Sequence, residues 1–349
     1  MSATNKPFIS IIAPCYNEEA ILEINIKKIL CYLEEKSDKY DWELVIINDG
    51  SKDKTGEIAN KLEKENVAIR VIHHHANLNL GNAIKTGFSN SKGEIIVVLD
   101  IDLSYAVEYI ETMVDKLIES NADIVMASPY MKGGKVTAVP FFRRIMSSWV
   151  NRFMRLAAQD KYHTFTGMVR AYRKEFVKTL NLKAIDYEIN PEIIYKGMIL
   201  RAKIEEIPAR LDWTEQNKFA GKRTSSLRVL RSFFSGLMSG FIFRPYIFFI
   251  GIGTILMLLS LYELVWLLYD TLSDLAMVNS ILKDGHRTFS DSLAMQFKKN
   301  PQSFLVGGVT FIIAIQFLSL GFLSLQNKRY FEELFHLGTS FKKQNSSNA

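Results

Sequence analysis

The feature that most constrains the fold of this chain is an alternation of short apolar segments with longer amphipathic ones between residues 8 and 209. The short segments are rich in β-branched residues, as buried strands are, whereas the longer ones have helical periodicity. The predicted strands are Phe8–Ala13, Trp42–Ile47, Val67–Ile72, Ile95–Leu99, Asp123–Ala127 and Ile204–Ala209, and the predicted helices are Glu18–Lys36, Lys54–Glu65, Asn79–Asn90 and Val107–Ser120. This order predicts an α/β domain with a mostly parallel sheet. Ligands of such sheets bind beyond the carboxyl ends of the strands, so we expect functional residues directly after strands.

The composition is that of a folded chain with a basic surface. The 349 residues are 48% hydrophobic and carry a formal net charge of +6. The two cysteines, Cys15 and Cys31, fall at a strand end and in a helix, which indicates neither a disulfide framework nor a zinc site. Two free thiols fit a reducing, cytoplasmic compartment.

Two aspartates one residue apart follow the fourth predicted strand. Carboxylates at a buried strand end need a cation or hydrogen-bond donors, because an unpaired buried charge is costly. Mg²⁺ is typically held by one or two carboxylates, with phosphate oxygens completing its shell. Asp100 and Asp102 therefore predict a divalent-metal site. The alternative is a pair that caps the helix expected to begin near Ala106.

Polar turns also follow the first two strands. After the first strand comes a tight turn that Pro14 makes rigid, in which Tyr16 offers a flat face for a base. Asn17 and Glu18 are polar groups where the next helix is expected to begin. The alternative for Asn17 is ordinary N-capping of the next helix. After the second strand, Asp49 can accept hydrogen bonds from a nucleobase or a ribose. No G-x-G-x-x-G follows a strand, so the sequence does not support a dinucleotide-binding Rossmann site.

Four motifs occur in the order found in a known enzyme family. They are Ala13-Pro-Cys-Tyr-Asn-Glu, Asn48-Asp-Gly-Ser-x-Asp-x-Thr, a segment with small residues from Gly81 to Gly93-Glu, and Asp100-x-Asp. Together they resemble the nucleotide-sugar domain of family 2 glycosyltransferases, which have the GT-A fold. More narrowly, roughly the first 240 residues are similar to the polyprenyl-phosphate glycosyltransferases, a group that includes dolichyl-phosphate mannose synthase and bacterial undecaprenyl-phosphate glucosyltransferases.

The resemblance assigns roles to several of these residues. It implies that the nucleotide sugar is bound by Pro14, Tyr16, Asn17, Glu18, Asp49 and Asp100, and that Asp102 binds Mg²⁺ or Mn²⁺. It also implies inversion at the anomeric carbon of the sugar. Two positions depart from the family pattern: Asn48 replaces a frequent aspartate, and Ser104 stands where some relatives have a glutamine near the metal. The third metal ligand therefore stays open.

A basic segment without acidic residues runs from Ile124 to Gln159. Within it, helical spacing predicts one polar face that consists of Arg144, Ser148, Asn151 and Arg155. The arginine fork suits phosphate recognition. We therefore expect an acceptor phosphate to be held by Arg144, Ser148 and Arg152, together with Arg223 further along the chain. The alternatives are a solvated basic face and a face lying on anionic lipid headgroups. Nucleic acid is not indicated, because no recognised binding motif accompanies the charge.

Two histidine motifs deserve interpretation. The segment from His163 to Arg173 resembles the part of the family that borders the acceptor site, with His163 at a position that is usually aspartate. A structural histidine is the plainer interpretation of His163. The run His73-His74-His75 suggests a metal site. Since consecutive residues at a strand end point to opposite faces, we interpret that run as a loop.

The last third of the chain has the pattern of a membrane anchor. Residues 216–244 are basic and apolar without acids, which predicts an amphipathic helix on a membrane surface, the alternative being a partner-binding helix. Pro245–Tyr269 and Phe304–Leu325 are about long enough to cross a bilayer. Glu263 interrupts the first span and is expected to face a neighbouring chain or to snorkel outward. The basic flanks predict that both termini are cytoplasmic and that the connection is outside.

These patterns predict a four-part, multi-pass protein of the plasma membrane. The parts are a cytoplasmic GT-A catalytic domain at 1–215, the amphipathic juxtamembrane segment at 216–244, two transmembrane helices within 245–326 with an extracytoplasmic connection at 270–301, and a cytoplasmic tail at 327–349. Glycines of the second span, Gly307, Gly308 and Gly321, suit close helix packing and suggest a homo-oligomer.

The expected activity is metal-dependent transfer of one sugar from a nucleotide sugar to a polyprenyl phosphate, either undecaprenyl or dolichyl phosphate. GDP-mannose, UDP-glucose and UDP-N-acetylglucosamine all stay open as donors. UDP-glucose is slightly favoured, because the two-span layout resembles the bacterial glucosyltransferases. One alternative is a processive polysaccharide synthase, although the Gln-x-x-Arg-Trp motif of those enzymes is absent from the sequence. The other alternative is a non-catalytic membrane scaffold that retains the fold.

Overall fold

The computed structural model describes residues 6–157, 162–214, 241, 245–281 and 287–347. The chain divides into two compact units, one formed by residues 1–240 with 334–349 and the other by residues 241–333. Nearly all of the predicted interfacial helix at 216–244, including Arg223, lies outside the described residues. The amphipathic helix therefore stays a prediction.

The first unit is built on a seven-stranded sheet with the strand order β3-β2-β1-β4-β7-β5-β8. The strands are β1 Phe8–Cys15, β2 Asp41–Asn48, β3 Ile69–His73, β4 Ile95–Val98, β5 Ile124–Ser128, β7 Arg170–Arg173 and β8 Ile204–Pro208, while β6 Lys135–Thr137 and β9 Arg210–Asp212 form a separate parallel pair. Within the described sheet β7 alone runs antiparallel to its neighbours, β4 and β5. The predicted mostly parallel sheet is therefore confirmed.

Helices cover both faces of this sheet. They are α1 Leu22–Glu35, α2 Thr55–Glu65, α3 Leu80–Asn90, α4 Tyr109–Glu119, α5 Phe141–Ala157, α6 Lys174–Thr179 and α7 Ile189–Ile199. Ile11 packs in a core with residues of α1, α2 and α4, whereas its neighbour Ile12 packs in a second core with residues of α3 and α7. Successive strand residues point to opposite faces, so a strand buried on both faces has to be apolar throughout.

Helix α1 begins later than predicted, at Leu22 rather than Glu18. Asn17 has a backbone φ of 55°, a left-handed conformation that asparagine tolerates better than most residues. The backbone N–H groups of Glu18 and Glu19 donate to side chains of the turn after β2. The turn after β1 is therefore a loop bonded to its neighbour, and the alternative of Asn17 as an N-cap is wrong.

The two predicted spans lie within long helices, α8 Pro245–Ile281 and α10 Pro301–Ser347, with the short helix α9 Phe289–Lys299 between them in sequence. Both α8 and the part of α10 up to Thr339 are long and apolar enough to cross a membrane, judged by length and composition. Helix α8 continues into the predicted connection, and α10 continues through the predicted polar tail. The bounds of the four parts stay predictions.

Small residues bring α8 and α10 into contact. A Cβ atom built on Gly321 would come within 2.5 Å of Ile250, so no side chain fits there. Ser260 Oγ donates a hydrogen bond to the carbonyl oxygen of Gly307 at 2.9 Å. Glu263 lies against the same glycine, with its Cβ 3.5 Å from a Cβ built on Gly307. Gly307 and Gly321 therefore pack against helix α8 of the same chain. They consequently give no support to the predicted homo-oligomer.

Candidate active site

Three strand ends with polar turns lie side by side at one edge of the sheet. Strands β2, β1 and β4 are consecutive in the sheet and parallel. The backbone N–H of Asp49 donates to the Cys15 carbonyl at 2.9 Å, and that of Leu99 donates to the Ile12 carbonyl at 2.9 Å. The turn residues expected to bind a nucleotide are therefore neighbours of the two aspartates that follow β4.

The turns after β1 and β2 are joined by hydrogen bonds. The backbone N–H of Asn17 donates to Ser51 Oγ at 3.0 Å, and Lys52 N–H donates to Asn17 Oδ1 at 2.8 Å. The N–H of Glu18 donates to Thr55 Oγ1 at 2.7 Å. Asn17 thus holds the second turn in place, and its contact with a nucleotide stays a prediction.

The other candidates in the first turn differ in exposure. Tyr16 is 39% exposed, so its ring is accessible for stacking on a base. Glu18 is half-buried, and Pro14 is buried within β1. Pro14 therefore shapes the end of the strand rather than presenting a surface.

The carboxylate of Asp49 is buried and held at one oxygen. His74 Nδ1 lies 2.6 Å from Asp49 Oδ1, and the backbone N–H of Leu78 donates to the same oxygen at 2.9 Å. The Asp49 side chain is 5% exposed. Two hydrogen bonds to one oxygen fix the direction of this carboxylate at the edge where the three turns meet.

The turn after β4 presents two half-buried carboxylates, Asp100 and Asp102. The N–H of Leu103, which has a φ of 50°, donates to the Asp100 carbonyl at 3.1 Å, and the N–H of Ser104 donates to Asp102 Oδ1 at 2.8 Å. Helix α4 begins only at Tyr109, so the alternative that the pair caps this helix is wrong.

The donor set of this turn fits a hard divalent cation. Two carboxylates at i and i+2 are as many as Mg²⁺ usually takes from a protein. Among the described residues no group of three or more His, Cys, Asp or Glu side chains could hold a metal ion. A cation bound by Asp100 and Asp102 would complete its shell with water or with phosphate oxygens of a substrate.

Tyr105 is a site residue that the sequence analysis missed. Its side chain is buried, and burial raises the pKa of its hydroxyl, as do the nearby Tyr130 and Asp100. A Cβ built on Gly167 would lie 3.9 Å from the Tyr105 hydroxyl oxygen. Tyr105 thus links the carboxylate turn to the segment around Gly167. It lies in a turn without hydrophobic periodicity, so no pattern in the sequence pointed to it.

The segment His163–Gly167 is anchored to strand β8 by one carboxylate. Glu206 accepts hydrogen bonds from the His163 N–H at 3.0 Å, from His163 Nδ1 at 2.8 Å and from the Thr164 N–H at 2.9 Å. The Thr164 hydroxyl also lies 2.7 Å from that of Ser128, at the end of β5. His163 is therefore held by both its backbone and its ring.

Helix α5 does not have the single polar face that its spacing predicted. Arg144, Ser148 and Arg152 are exposed, but Asn151 is only 2% exposed. Asn151 Oδ1 accepts the Phe165 N–H at 2.8 Å and the N–H of the next residue at 3.3 Å. Asn151 therefore ties α5 to the segment His163–Gly167. Arg155 is half-buried, and Arg144, Ser148 and Arg152 face outward.

A buried arginine, Arg170, is hydrogen-bonded to the segment His163–Gly167. Arg170 is 1% exposed and donates from Nη1 to the Asn190 carbonyl at 2.8 Å and from Nη2 to the Phe165 carbonyl at 2.7 Å. Burial lowers the pKa of this guanidinium, against the opposing effect of Tyr172. Strand β7, which contains Arg170, was not among the strands predicted from the sequence, and the partners of this arginine were not predicted either.

Comparisons with known proteins agree with this geometry. Residues 10–180 match the model of Glycosyl transferase family 2. A dolichol-phosphate mannosyltransferase of Pyrococcus furiosus is 31% identical over 203 residues, which are 57% of this chain and 55% of that protein. A dolichyl-phosphate beta-glucosyltransferase of Trichomonas vaginalis is 28% identical over 216 residues, which are 60% of this chain and 66% of that protein. The match thus spans less than two thirds of either relative.

Among solved structures, glucosyl-3-phosphoglycerate synthase of Mycobacterium tuberculosis is similar at a TM-score of 0.49 and 18% identity, over 67% of this chain and 80% of that chain. Its complex with Mn²⁺, UDP and glucosyl-3-phosphoglycerate is similar at a TM-score of 0.48 and 17% identity, over the same shares of the two chains.

The family match defines the class of residues 10–180, which form a glycosyltransferase domain. More narrowly, residues 10–180 form a family 2 domain with the GT-A fold. The family indicated by the four sequence motifs is thereby confirmed.

Proposed function

We propose that this protein transfers a single sugar from a nucleoside-diphosphate sugar to a polyprenyl phosphate at the cytoplasmic face of the plasma membrane. The observation that carries the proposal is the convergence of three polar strand ends on one sheet edge, in a chain with two apolar helices. The sheet edge would supply the donor site, and the two apolar helices suit an acceptor that resides in a bilayer. The two sequence relatives support this acceptor class, because their names specify dolichyl phosphate.

The donor nucleotide would lie on the turns after β1 and β2. Tyr16 is exposed and offers its ring to the base, while the fixed carboxylate of Asp49 accepts a hydrogen bond from the base or ribose. Glu18 and Asn17 complete the wall of this site. We favour UDP-glucose as the donor, with GDP-mannose as the main competitor.

The diphosphate would lie over the turn after β4, where Asp102 and Asp100 would hold Mg²⁺ or Mn²⁺. When bound, this cation neutralises the charge that builds on the leaving diphosphate. Tyr105 is protonated at neutral pH, as any tyrosine with an ordinary pKa near 10 is, and burial raises the pKa of its hydroxyl further. It therefore brings a hydrogen-bond donor, and no further negative charge, next to the two carboxylates.

The acceptor needs no strong general base, because a polyprenyl phosphate is already anionic. A phosphate oxygen of the lipid forms a bond to the anomeric carbon while the bond to the nucleoside diphosphate breaks. The diphosphate leaves with the bonding electron pair, and attack from the opposite face inverts the configuration. The protein's task is to bring the two anions together and to hold them in line.

Helix α5 is proposed to bring the acceptor phosphate to this site. Arg144, Ser148 and Arg152 are exposed on α5 and suited to a phosphate. Asn151 joins the helix to the segment His163–Gly167, whose Gly167 lies beside Tyr105 and hence beside the carboxylate turn. Arg223, outside the described residues, is proposed to add a further cation.

The apolar residues of α5 suit a helix at a membrane surface. Phe141, Ile145 and Trp149 recur at i, i+4 and i+8, and all three are exposed, Phe141 at 76% and Trp149 at 68%. Amphipathic helices with bulky apolar residues beside cations lie in the headgroup region of a bilayer. A lipid phosphate would then reach α5 without leaving the membrane.

The proposal is tested with the full-length protein in detergent or nanodiscs. It is incubated with Mg²⁺, a polyprenyl phosphate and, in turn, labelled UDP-glucose, GDP-mannose or UDP-N-acetylglucosamine. We expect one donor to give a lipid product with a single sugar and none to label the unphosphorylated polyprenol. A long polysaccharide would identify a processive synthase, and the absence of transfer and hydrolysis with every donor would support a scaffold.

A further inference from the structure

The histidines that end strand β3 serve opposite sides of the sheet. His73 lies 2.9 Å from Asn48 Nδ2 through Nδ1, and 2.8 Å from Asn60 Oδ1, on α2, through Nε2. His74 lies 2.6 Å from Asp49 Oδ1 through Nδ1, and 2.9 Å from the Thr86 hydroxyl, on α3, through Nε2. His73 belongs to strand β3 and His74 follows it, so the interpretation of the whole run as a loop is wrong at His73. These rings are bonded to the two residues that follow each other at the end of β2.

The hydrogen-bond partners of His74 indicate which of its ring nitrogens carries a proton. A carboxylate only accepts hydrogen bonds, so His74 Nδ1 carries a proton and donates it to Asp49. In the neutral imidazole Nε2 then accepts the hydroxyl proton of Thr86. His74 is thereby fixed at both ring nitrogens, and its side chain is only 8% exposed. Because the His74 ring is hydrogen-bonded at both nitrogens, it restrains the Asp49 carboxylate to which it donates.

The two oxygens of Asp49 are not equivalent. Both hydrogen bonds that the described residues make to this carboxylate, from His74 Nδ1 and from the Leu78 N–H, go to Oδ1. Asp49 Oδ2 is thus the oxygen left to accept a hydrogen bond from a ligand. A carboxylate whose rotation is blocked presents that oxygen in one direction only.

We infer that His74 is a positioning residue for nucleobase recognition: by holding Asp49 Oδ1 it directs Oδ2 to the ring N–H of the donor's base. The inference rests on the proposed function, in which Asp49 contacts the nucleotide. Uracil and guanine both carry a ring N–H that a carboxylate can accept. If His74 were purely structural, its substitution would lower stability or weaken the binding of all nucleotides equally. It would not change the preference for a base that carries that N–H.

The experiment compares two ligands on the same protein. Of UDP and GDP, the nucleotide that binds the full-length wild-type protein more tightly is paired with its analogue methylated at the ring N–H. The selectivity is the ratio of their dissociation constants, measured by isothermal titration with Mg²⁺ present. We expect the wild type to prefer the unmethylated nucleotide by roughly tenfold or more, the size expected for one charge-assisted hydrogen bond.

Four variants separate positioning from folding. His74→Ala should lower the selectivity towards one, whereas His74→Asn should retain much of it, because the asparagine amide N–H stands near the position of Nδ1. Thr86→Val, which removes only the outer hydrogen bond of the ring, should give an intermediate value. His75→Ala is the matched control, since His75 is the next residue and is exposed. Its selectivity should equal that of the wild type.

The outcomes distinguish this inference from the proposed function. If neither nucleotide binds the wild type, the proposed function is wrong. If the wild type is selective and both His74→Ala and Thr86→Val keep that selectivity, the donor site stands and the positioning role of His74 is wrong. If His74→Ala does not fold, an unchanged selectivity in Thr86→Val overturns the inference in the same way.

Discussion

Glu206 holds His163 at two points, accepting hydrogen bonds from its backbone N–H at 3.0 Å and from its ring Nδ1 at 2.8 Å. The Glu206 side chain is 6% exposed, so these donors satisfy a carboxylate that is removed from water. The segment His163–Gly167 is consequently fixed to β8, the outermost strand beyond β5. Through Gly167 and Tyr105 the same segment reaches the carboxylate turn.

Glu206→Ala should lower the melting temperature by several degrees and raise KM for polyprenyl phosphate more than it weakens nucleotide binding. The substitution leaves two backbone N–H groups and one ring N–H without their acceptor, and unsatisfied buried donors are costly. Thermal unfolding of the purified protein and initial rates at varied lipid concentration measure both effects. Glu206→Gln, which retains one acceptor oxygen, should be intermediate. An unchanged melting temperature and KM would show that Glu206 does not anchor this segment.

Asp102→Asn should fold normally and lose turnover by about two orders of magnitude or more with Mg²⁺ or Mn²⁺, because a bound cation contributes several kcal/mol to transition-state stabilisation. Transfer of labelled sugar to the lipid is the measurement. Asp41→Asn, an equal change at an exposed position where β2 begins, is the control and should retain full activity. Near-wild-type turnover in Asp102→Asn would contradict the metal assignment.

Arg144→Ala should weaken the use of polyprenyl phosphate and leave nucleotide-sugar binding intact. Losing one charge-assisted hydrogen bond costs about 1.5–3 kcal/mol, which is roughly ten- to more than a hundredfold in an equilibrium constant. The rise in KM for the lipid is compared with the donor dissociation constant in the same preparation. Arg144→Lys, which keeps the charge without the fork, should recover part of the loss. Loss of donor binding with intact lipid affinity would place the acceptor site elsewhere.

Asn151→Ala and Arg152→Ala should differ sharply although the residues are adjacent. Asn151→Ala removes the acceptor of two backbone N–H groups in the segment His163–Gly167 and should destabilise the domain by about 1–3 kcal/mol. Arg152 is exposed, so Arg152→Ala should change stability by no more than about 0.5 kcal/mol. Thermal and urea unfolding measure the difference. Equal effects on stability would mean that α5 does not face inward at Asn151.

Cysteine labelling tests the orientation in the membrane. A cysteine at Ser280, in the predicted outer connection, should react with an impermeant thiol reagent added to intact cells, and one at Ser340 should not. The background is Cys31→Ser, because Cys31 is exposed. Cys15 can remain, since burial raises the pKa of its thiol to about 12 and leaves little thiolate to react. The reverse labelling pattern would show that the basic flanks were misinterpreted.

The sequence by itself determined the parallel strands of the sheet and the edge at which the candidate site lies, whereas the antiparallel strand β7 was not predicted. Strands buried on both faces have to be apolar, so β1, β2 and β4 stand out, and the parallel arrangement puts their carboxyl ends at one edge. Asp49, Asp100 and Asp102 could therefore be placed together from their position after strands. The apolar spans were equally visible, because crossing a bilayer requires a long run of apolar residues.

The tertiary structure decided which polar side chains face the site and which hold the protein together. Asn151 and Arg144 share a helical pattern. Asn151 is nevertheless buried, and its Oδ1 accepts hydrogen bonds from the backbone N–H groups of Phe165 and Thr166. His74 meets Asp49 across 25 positions of sequence, and Glu206 meets His163 across 43. Periodicity reports only which side of an element faces the core, whereas a hydrogen-bond partner depends on the atoms that folding brings within about 3 Å.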